Sequence, residues 1–204
     1  SIAFLPDLEP TPEWYHECSE FDAFNPPTVA FGTQLPQDGS GYCGVAAYLS
    51  PEPNYRELIG VELTQNLELG NSYLVELFIC NLTAENIGVS TNRFGFNFST
   101  HSHYNFSNFP TNISHFSIDT LLPLSDEWTK ISEIFTADSL YTHFHIGNFF
   151  DDSNIEIVGL SNSNYLSYYG IDNVSITPLP APTGVMNEIN GDIQIFPKPA
   201  SDFA

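Results

Sequence analysis

The chain has 204 residues, 42 % of them apolar and only 14 % charged, so it can bury a sizeable core and is not a disordered polymer. Four basic residues stand against 25 acidic ones, a net charge of −21 that argues against nucleic acid and anionic lipid as partners, because phosphate binding needs clustered Lys and Arg. Cations, neutral sugars and protein surfaces remain, or acidity serves solubility alone; Asn, Ser and Thr, with 18, 20 and 14 residues, carry the polar surface.

The chain opens on Ser1-Ile2-Ala3-Phe4, without an initiator Met or a signal peptide, as a processed chain would. No apolar run is long enough for membrane insertion. Strand-like stretches then follow one another: GYCGVAAYL (41–49), YRELIGVEL (55–63), SYLVELFIC (72–80), IGVSTNRFGFNF (87–98), EWTKISEIFTA (127–137), YTHFHIGNFF (141–150) and YYGIDNVSI (168–176). Each is rich in β-branched and aromatic residues and is bounded by Asn, Gly, Pro or Ser. In SYLVELFIC, Tyr73, Val75, Leu77 and Ile79 share one face. Short strands without helical crossovers predict an all-β fold, an antiparallel β-sandwich. In YYGIDNVSI, Ile171 and Val174 both reach the core only if alternation slips, which predicts a bulge at Asp172-Asn173. From Thr177 the texture changes to TPLPAPTG, a Pro-rich linker. This gives residues 1–177 as the domain, 178–192 as linker and 193–204 as a separate strand-like remnant in which Ile193, Ile195 and Phe196 precede two prolines.

The chemistry-bearing residues are few. Cys18, Cys43 and Cys80 lack metal-ligand spacing; one disulfide, Cys18–Cys43, is the expected pairing, with Cys80 a buried small residue. His143 and His145 share a strand face, and His101-x-His103 repeats the spacing. Two such pairs could hold zinc or copper, but solvent-facing strand positions account for them more simply. Arg56, the first basic residue, is expected to form a fixed salt bridge or to pack under a Tyr. No G-x-S-x-G, H-E-x-x-H or Cys/His catalytic context occurs, and the acidic pairs Asp126-Glu127 and Asp151-Asp152 are adjacent, so they do not make an acid/base pair on a strand; a non-enzyme is expected.

Residues 100–116 look most like a recognition surface, with His101, His103, Tyr104, Phe106 and Phe109 among Asn and Ser. Aromatic faces beside amides suit a sugar, a protein interface, or a loop packing on itself. Tyr165 and Tyr168 in SNSNYLSYY invite the same three readings.

The tail IQIFPKPASDFA resembles the first strand of the type A C-terminal sorting domain of type IX secretion cargo, with Lys198 where that signature has Asn. The ordered stretches FDAFNPP, GSGYCGVAAY, NYREL, LELGNSYLVELFI, EWTKISEIFTA, HIGNFF and YYGIDNVSI resemble galactose-binding-like jelly rolls found ahead of such sorting domains, over residues 21–177. The resemblance implies a jelly roll like that of carbohydrate-binding modules, an extracellular or bacterial cell-surface location, and a structural calcium. The resembling modules place a calcium-ligating acid on the last strand, which falls on Asp172, with Asp7 or Glu9 as N-terminal partners. Asp119-Thr120-Leu121 and Asp138-Ser139-Leu140 resemble the O-glycosylation motif of bacteria that use this route, which nominates Thr120 and Ser139. Two functions are expected: adhesion with self-assembly into a layer or filament, in which residues 193–196 add to the edge of another copy or another surface protein, or capture of neutral glycans by a free module.

Overall fold

The computed structural model describes residues 12–29, 32–82, 88–101, 110–159 and 166–180. Asp7, Glu9, His103, Tyr104, Phe106, Phe109, Tyr165, Ile193, Ile195 and Phe196 lie outside them.

Fourteen strands are described: β1 (Glu13–His16), β2 (Phe24–Asn25), β3 (Thr28–Val29), β4 (Gly32–Thr33), β5 (Gly41–Leu49), β6 (Leu58–Glu62), β7 (Ser72–Asn81), β8 (Val89–Thr91), β9 (Phe94–Ser99), β10 (Phe116–Ser117), β11 (Thr129–Thr136), β12 (His143–Asn148), β13 (Ile157–Gly159) and β14 (Leu166–Pro178). They build an antiparallel β-sandwich of the jelly-roll class. One sheet runs β1-β5-β14-β7-β11, the other β10-β9-β12-β6, with a β13-β8 ribbon and a small β2-β3-β4 sheet beside them. The alternation in β7 works as the pleat demands: Tyr73, Val75, Leu77 and Ile79 point inward, and the residues between them are half-buried. Cys43, Val45 and Ala47 of β5 and Ile171 of β14 join them against Phe94, Phe96, Phe98, Phe144 and Ile146 of the facing sheet. Aromatic rings dominate that second wall; Phe96, Phe98 and Phe144 sit within 6 Å of one another, centroid to centroid.

The outer face of the five-stranded sheet carries a second core. Tyr15, Tyr42, Ala46, Cys80, Leu82 and Tyr168 pack there, with Phe24 and Val29 of the small sheet laid over them. Buried phenols need partners. Tyr15 and Tyr168 share a hydrogen bond of 3.0 Å, and the Tyr168 hydroxyl donates to the Glu13 carboxylate. Burial pushes the Glu13 carboxyl above its ordinary pKa. Tyr168, expected on a recognition surface, is therefore a core residue, 2 % exposed, because it faces outward from a sheet whose outer side is covered.

Two other expectations need correction. IGVSTNRFGFNF is not one strand: it breaks at Asn92-Arg93, where Arg93 turns left-handed at φ 64°, and β8 pairs with β13 while β9 pairs with β12. All three cysteines are free. Cys43 points into the main core and Cys80 into the second, while Cys18 is exposed, so the expected Cys18–Cys43 bridge does not form. Burial raises the Cys43 thiol to a pKa of about 12, which keeps it inert.

Arg56 meets its expectation. Its guanidinium, wholly buried, bonds Asp152 at 2.8 Å, the Phe150 carbonyl at 3.0 Å and the Tyr55 carbonyl at 2.7 Å. Asp151 caps the short 3-10 turn Asp152–Asn154 and accepts hydrogen bonds from Asn112, Ser153 and Asn154, which hold its pKa at about 2. Both acids of this pair are thus engaged in the fold.

Candidate functional site

The bulge on β14 shapes a cleft between the sheets. Pairing of β14 with β5 runs as far as Ile171 opposite Cys43, and pairing with β7 slips between Asp172 and Ser175. Asn173 sits at φ 49°, a left-handed conformation that Asn tolerates better than most side chains. Val174 consequently turns inward and packs on the main core, as the spacing from Ile171 predicts. Past the bulge, residues 175–178 pair with β7 but with no strand on the other side among the described residues. The sheet narrows there, and the inter-sheet space opens.

The far wall of the opening is β6 and the loop after it. That loop is pinned by Leu63 N–H to the Thr142 carbonyl (2.8 Å), Leu67 N–H to the Tyr141 carbonyl (2.9 Å) and Glu68 N–H to the Tyr73 hydroxyl (2.9 Å). The result is a cleft of about 390 Å³. Its floor is apolar: Phe144, Tyr73 and Leu67 are buried, and Val61, Leu63 and Ile176 are half-buried on the core. Its rim carries Thr64, Gln65, Asn66, Asn71 and Ser175, with the carboxylates of Glu62 and Glu68. Among the described residues the side chains of Thr64, Gln65 and Asn66 make no hydrogen bond, so their donors and acceptors are available to a ligand. No Lys, Arg or His lines the cleft.

Asp172, nominated for calcium, stands beside this cleft with its carboxylate already engaged. Its oxygens accept N–H bonds from Gln37 (2.8 Å), Asp38 (3.1 Å) and Asn173 (2.7 Å). Calcium needs six to eight oxygens. Among the described residues no group of three or more His, Cys, Asp or Glu side chains could hold a metal ion. A carboxylate held by three backbone donors does the work of a loop clasp; the other nominated ligands, Asp7 and Glu9, lie outside the described residues.

The histidines differ from expectation. His143 and His145 do share the outer face of the four-stranded sheet, with rings 6.5 Å apart and 17° from parallel, but His145 is buried rather than solvent-facing. Burial, then the neighbouring His143, lowers its pKa to about 4. His101 is exposed just past β9, its ring 2.9 Å from the Thr100 hydroxyl. Thr120 is exposed in a bend and Ser139 half-buried in another.

The residues that make the cleft were not singled out from the sequence. They come from four parts of the chain, 61–68, 71–73, Phe144 and 174–178, brought together by strand pairing, and their only local signal is the run Thr64-Gln65-Asn66 after an alternating stretch.

No family model matches the chain, and no curated protein does. Among solved structures, the chain is similar to one titled "CBM4 structure and function", at 10 % identity and a TM-score of 0.39, over 83 % of this chain and 87 % of the other.

Proposed function

We propose that the protein is a non-catalytic, extracellular β-sandwich that binds neutral carbohydrate in the cleft between β6 and the end of β14. The observation that carries this reading is the cleft's chemistry: an apolar floor with an aromatic ring, a rim of amides and hydroxyls, two carboxylates and no cation. A sugar ring presents an apolar C–H face and a girdle of hydroxyls, which matches such a floor and rim. Glu62 and Glu68 can accept hydrogen bonds from sugar hydroxyls and repel uronates and phosphates. The volume falls in the usual range for small-ligand sites. Isothermal titration with neutral and uronate oligosaccharides tests it. Neutral chains should bind, and Gln65→Ala with Asn66→Ala should weaken them about tenfold, as loss of hydrogen bonds worth about 1.4 kcal/mol would. Absence of neutral-glycan binding at millimolar concentration would defeat it.

Adhesion with self-assembly is the second reading, favoured by the unpaired edge of β14 at residues 175–178. A strand from residues 193–196 of another copy, or of another surface protein, would find a ladder there. Deleting residues 190–204 should then leave a folded monomer that no longer associates. A full-length protein that sediments as a monomer at high concentration would remove this reading.

A further inference from the structure

Strands β10 and β11 are edge strands, one in each sheet, and His115 joins them. Strand β10 pairs through two residues, Phe116 opposite Phe96 and Ser117 opposite Gly95. Just ahead of it, His115 extends the ladder twice. Its backbone N–H donates to the Phe96 carbonyl at 3.1 Å, and its Nδ1 accepts the Phe98 N–H at 2.9 Å, where a strand carbonyl would otherwise serve. A neutral imidazole that accepts at Nδ1 carries its proton on Nε2. That nitrogen lies 3.0 Å from the Tyr141 hydroxyl, which donates in turn to the Asp138 carboxylate. One side chain thus ties the run into β10 to β9 through one nitrogen and to the segment after β11 through the other.

The ring sits among aromatics. Its centroid is 4.9 Å from that of Phe135 on β11, 5.1 Å from Tyr141 and 6.0 Å from Phe98, and Phe98 stacks on Phe135 at 4.6 Å. Burial there lowers the His115 pKa from its ordinary value, and Asp138 opposes part of the shift. Burial pushes the Tyr141 hydroxyl up to about 12, so it keeps its proton. The other ionisable groups on the surrounding elements are Glu133 and Lys130 of β11, His143 of β12 and His101 just past β9, and none is hydrogen-bonded to the imidazole. His115 as a residue is exposed, so solvent protons reach it.

A proton added at Nδ1 turns both ring nitrogens into donors, and Nδ1–H would then face the Phe98 N–H, donor against donor. We propose that His115 is an acid-released latch: neutral, it fastens residues 114–117 to the free edge of β9 and to the end of β11, and protonated, it lets the Phe98 amide go. No residue of this latch lines the cleft, so it stands apart from the carbohydrate reading. Because the folded pKa is lowered, the latch is fully closed above the ordinary histidine value of about 6.5 and opens as pH falls through the lowered value. Opening uncovers the Phe98 and Phe135 rings where the two edge strands meet, which gives the molecule an apolar edge in acid that it hides at neutral pH.

Nuclear magnetic resonance of the isotope-labelled full chain between pH 7.5 and 5 tests this. The imidazole ¹⁵N signals of His115 should show the Nε2–H form at pH 7.5 and protonation below about 6.5. The protection factor of the Phe98 amide should fall about tenfold through the same midpoint. His115→Gln, whose side-chain oxygen accepts the same N–H at any pH, should hold that protection flat, and Asp138→Asn should move the midpoint lower. His145→Asn should leave the Phe98 midpoint where it is, which separates the latch from a general loss of stability in acid. Phe98 protection that stays constant while the His115 ring titrates would overturn the proposal. So would a His115 midpoint at or above the ordinary value, or a Phe98 loss that persists unchanged in His115→Gln.

Discussion

Arg56 and His145 show how single side chains set the stability of this sandwich. The Arg56 guanidinium is fully buried and ends on one carboxylate and two carbonyls. Burial lowers its pKa and Asp152 opposes that shift. Arg56→Ala leaves Asp152 and two carbonyls without their donor, and should cost about 3–5 kcal/mol in urea unfolding. His145 makes a pH-dependent contribution of definite sign. Its folded pKa of about 4 lies below the ordinary histidine value of about 6.5, so the unfolded chain takes up a proton first as pH falls. Stability from this group is complete above pH ~6.5 and is lost progressively down to pH ~4, by up to about 3 kcal/mol. Glu13, whose carboxyl is raised, runs the other way: it stabilises at low pH, and that stability fades as pH rises through its folded pKa. His145→Asn should flatten the loss between pH 6.5 and 4 in a series of urea titrations; an unchanged slope would show that His145 ionises freely in the folded state. Only Arg56 was legible. Arg56, the first basic residue among so many acids, announced an ion pair, whereas nothing in YTHFHIGNFF says that the outer face beside His145 is covered.

Among the elements, β14 connects sequence to site most directly. The three-residue spacing of Ile171 and Val174 demands a bulge, and the bulge is there. What it does could not be read, because the cleft depends on β5 stopping its pairing at Ile171 and on β6 standing opposite, more than a hundred residues away. Asp172→Ala removes one acceptor from three N–H groups and should cost about 2 kcal/mol. It should also speed amide exchange at Gln37 and Asp38; unchanged exchange there would mean the loop is held by other contacts. Strand β7 was legible because its period-2 alternation survives, and β5 because a strand buried on both faces reads as a near-continuous apolar run. The break between β8 and β9 was not, since Asn92-Arg93 contains neither Gly nor Pro and the corner is made by tertiary bonds. Asn92 accepts the Glu156 N–H at 2.7 Å and gives a side-chain N–H to the Asp119 carbonyl at 3.1 Å. Strands β1 to β4, of two to four residues, are too short to show a period.

At the scale of the whole molecule, guarded and unguarded edges are distributed unevenly. Edge strand β11 carries Lys130, paired with Glu76 at 2.7 Å, and Glu133 on its inward face opposite Val75, both of which discourage further pairing. The end of β14 and β6, where the cleft opens, lack any such cation. The cleft sets an apolar floor beside amides and hydroxyls, which is what it offers to a neutral ligand. Nuclear magnetic resonance titration of the isotope-labelled chain with a neutral hexasaccharide examines that claim most directly. The amides of residues 64–68 and 175–176 should shift together and saturably. Shifts confined to the outer face around His143 and His145, or no shifts at millimolar sugar, would contradict the account.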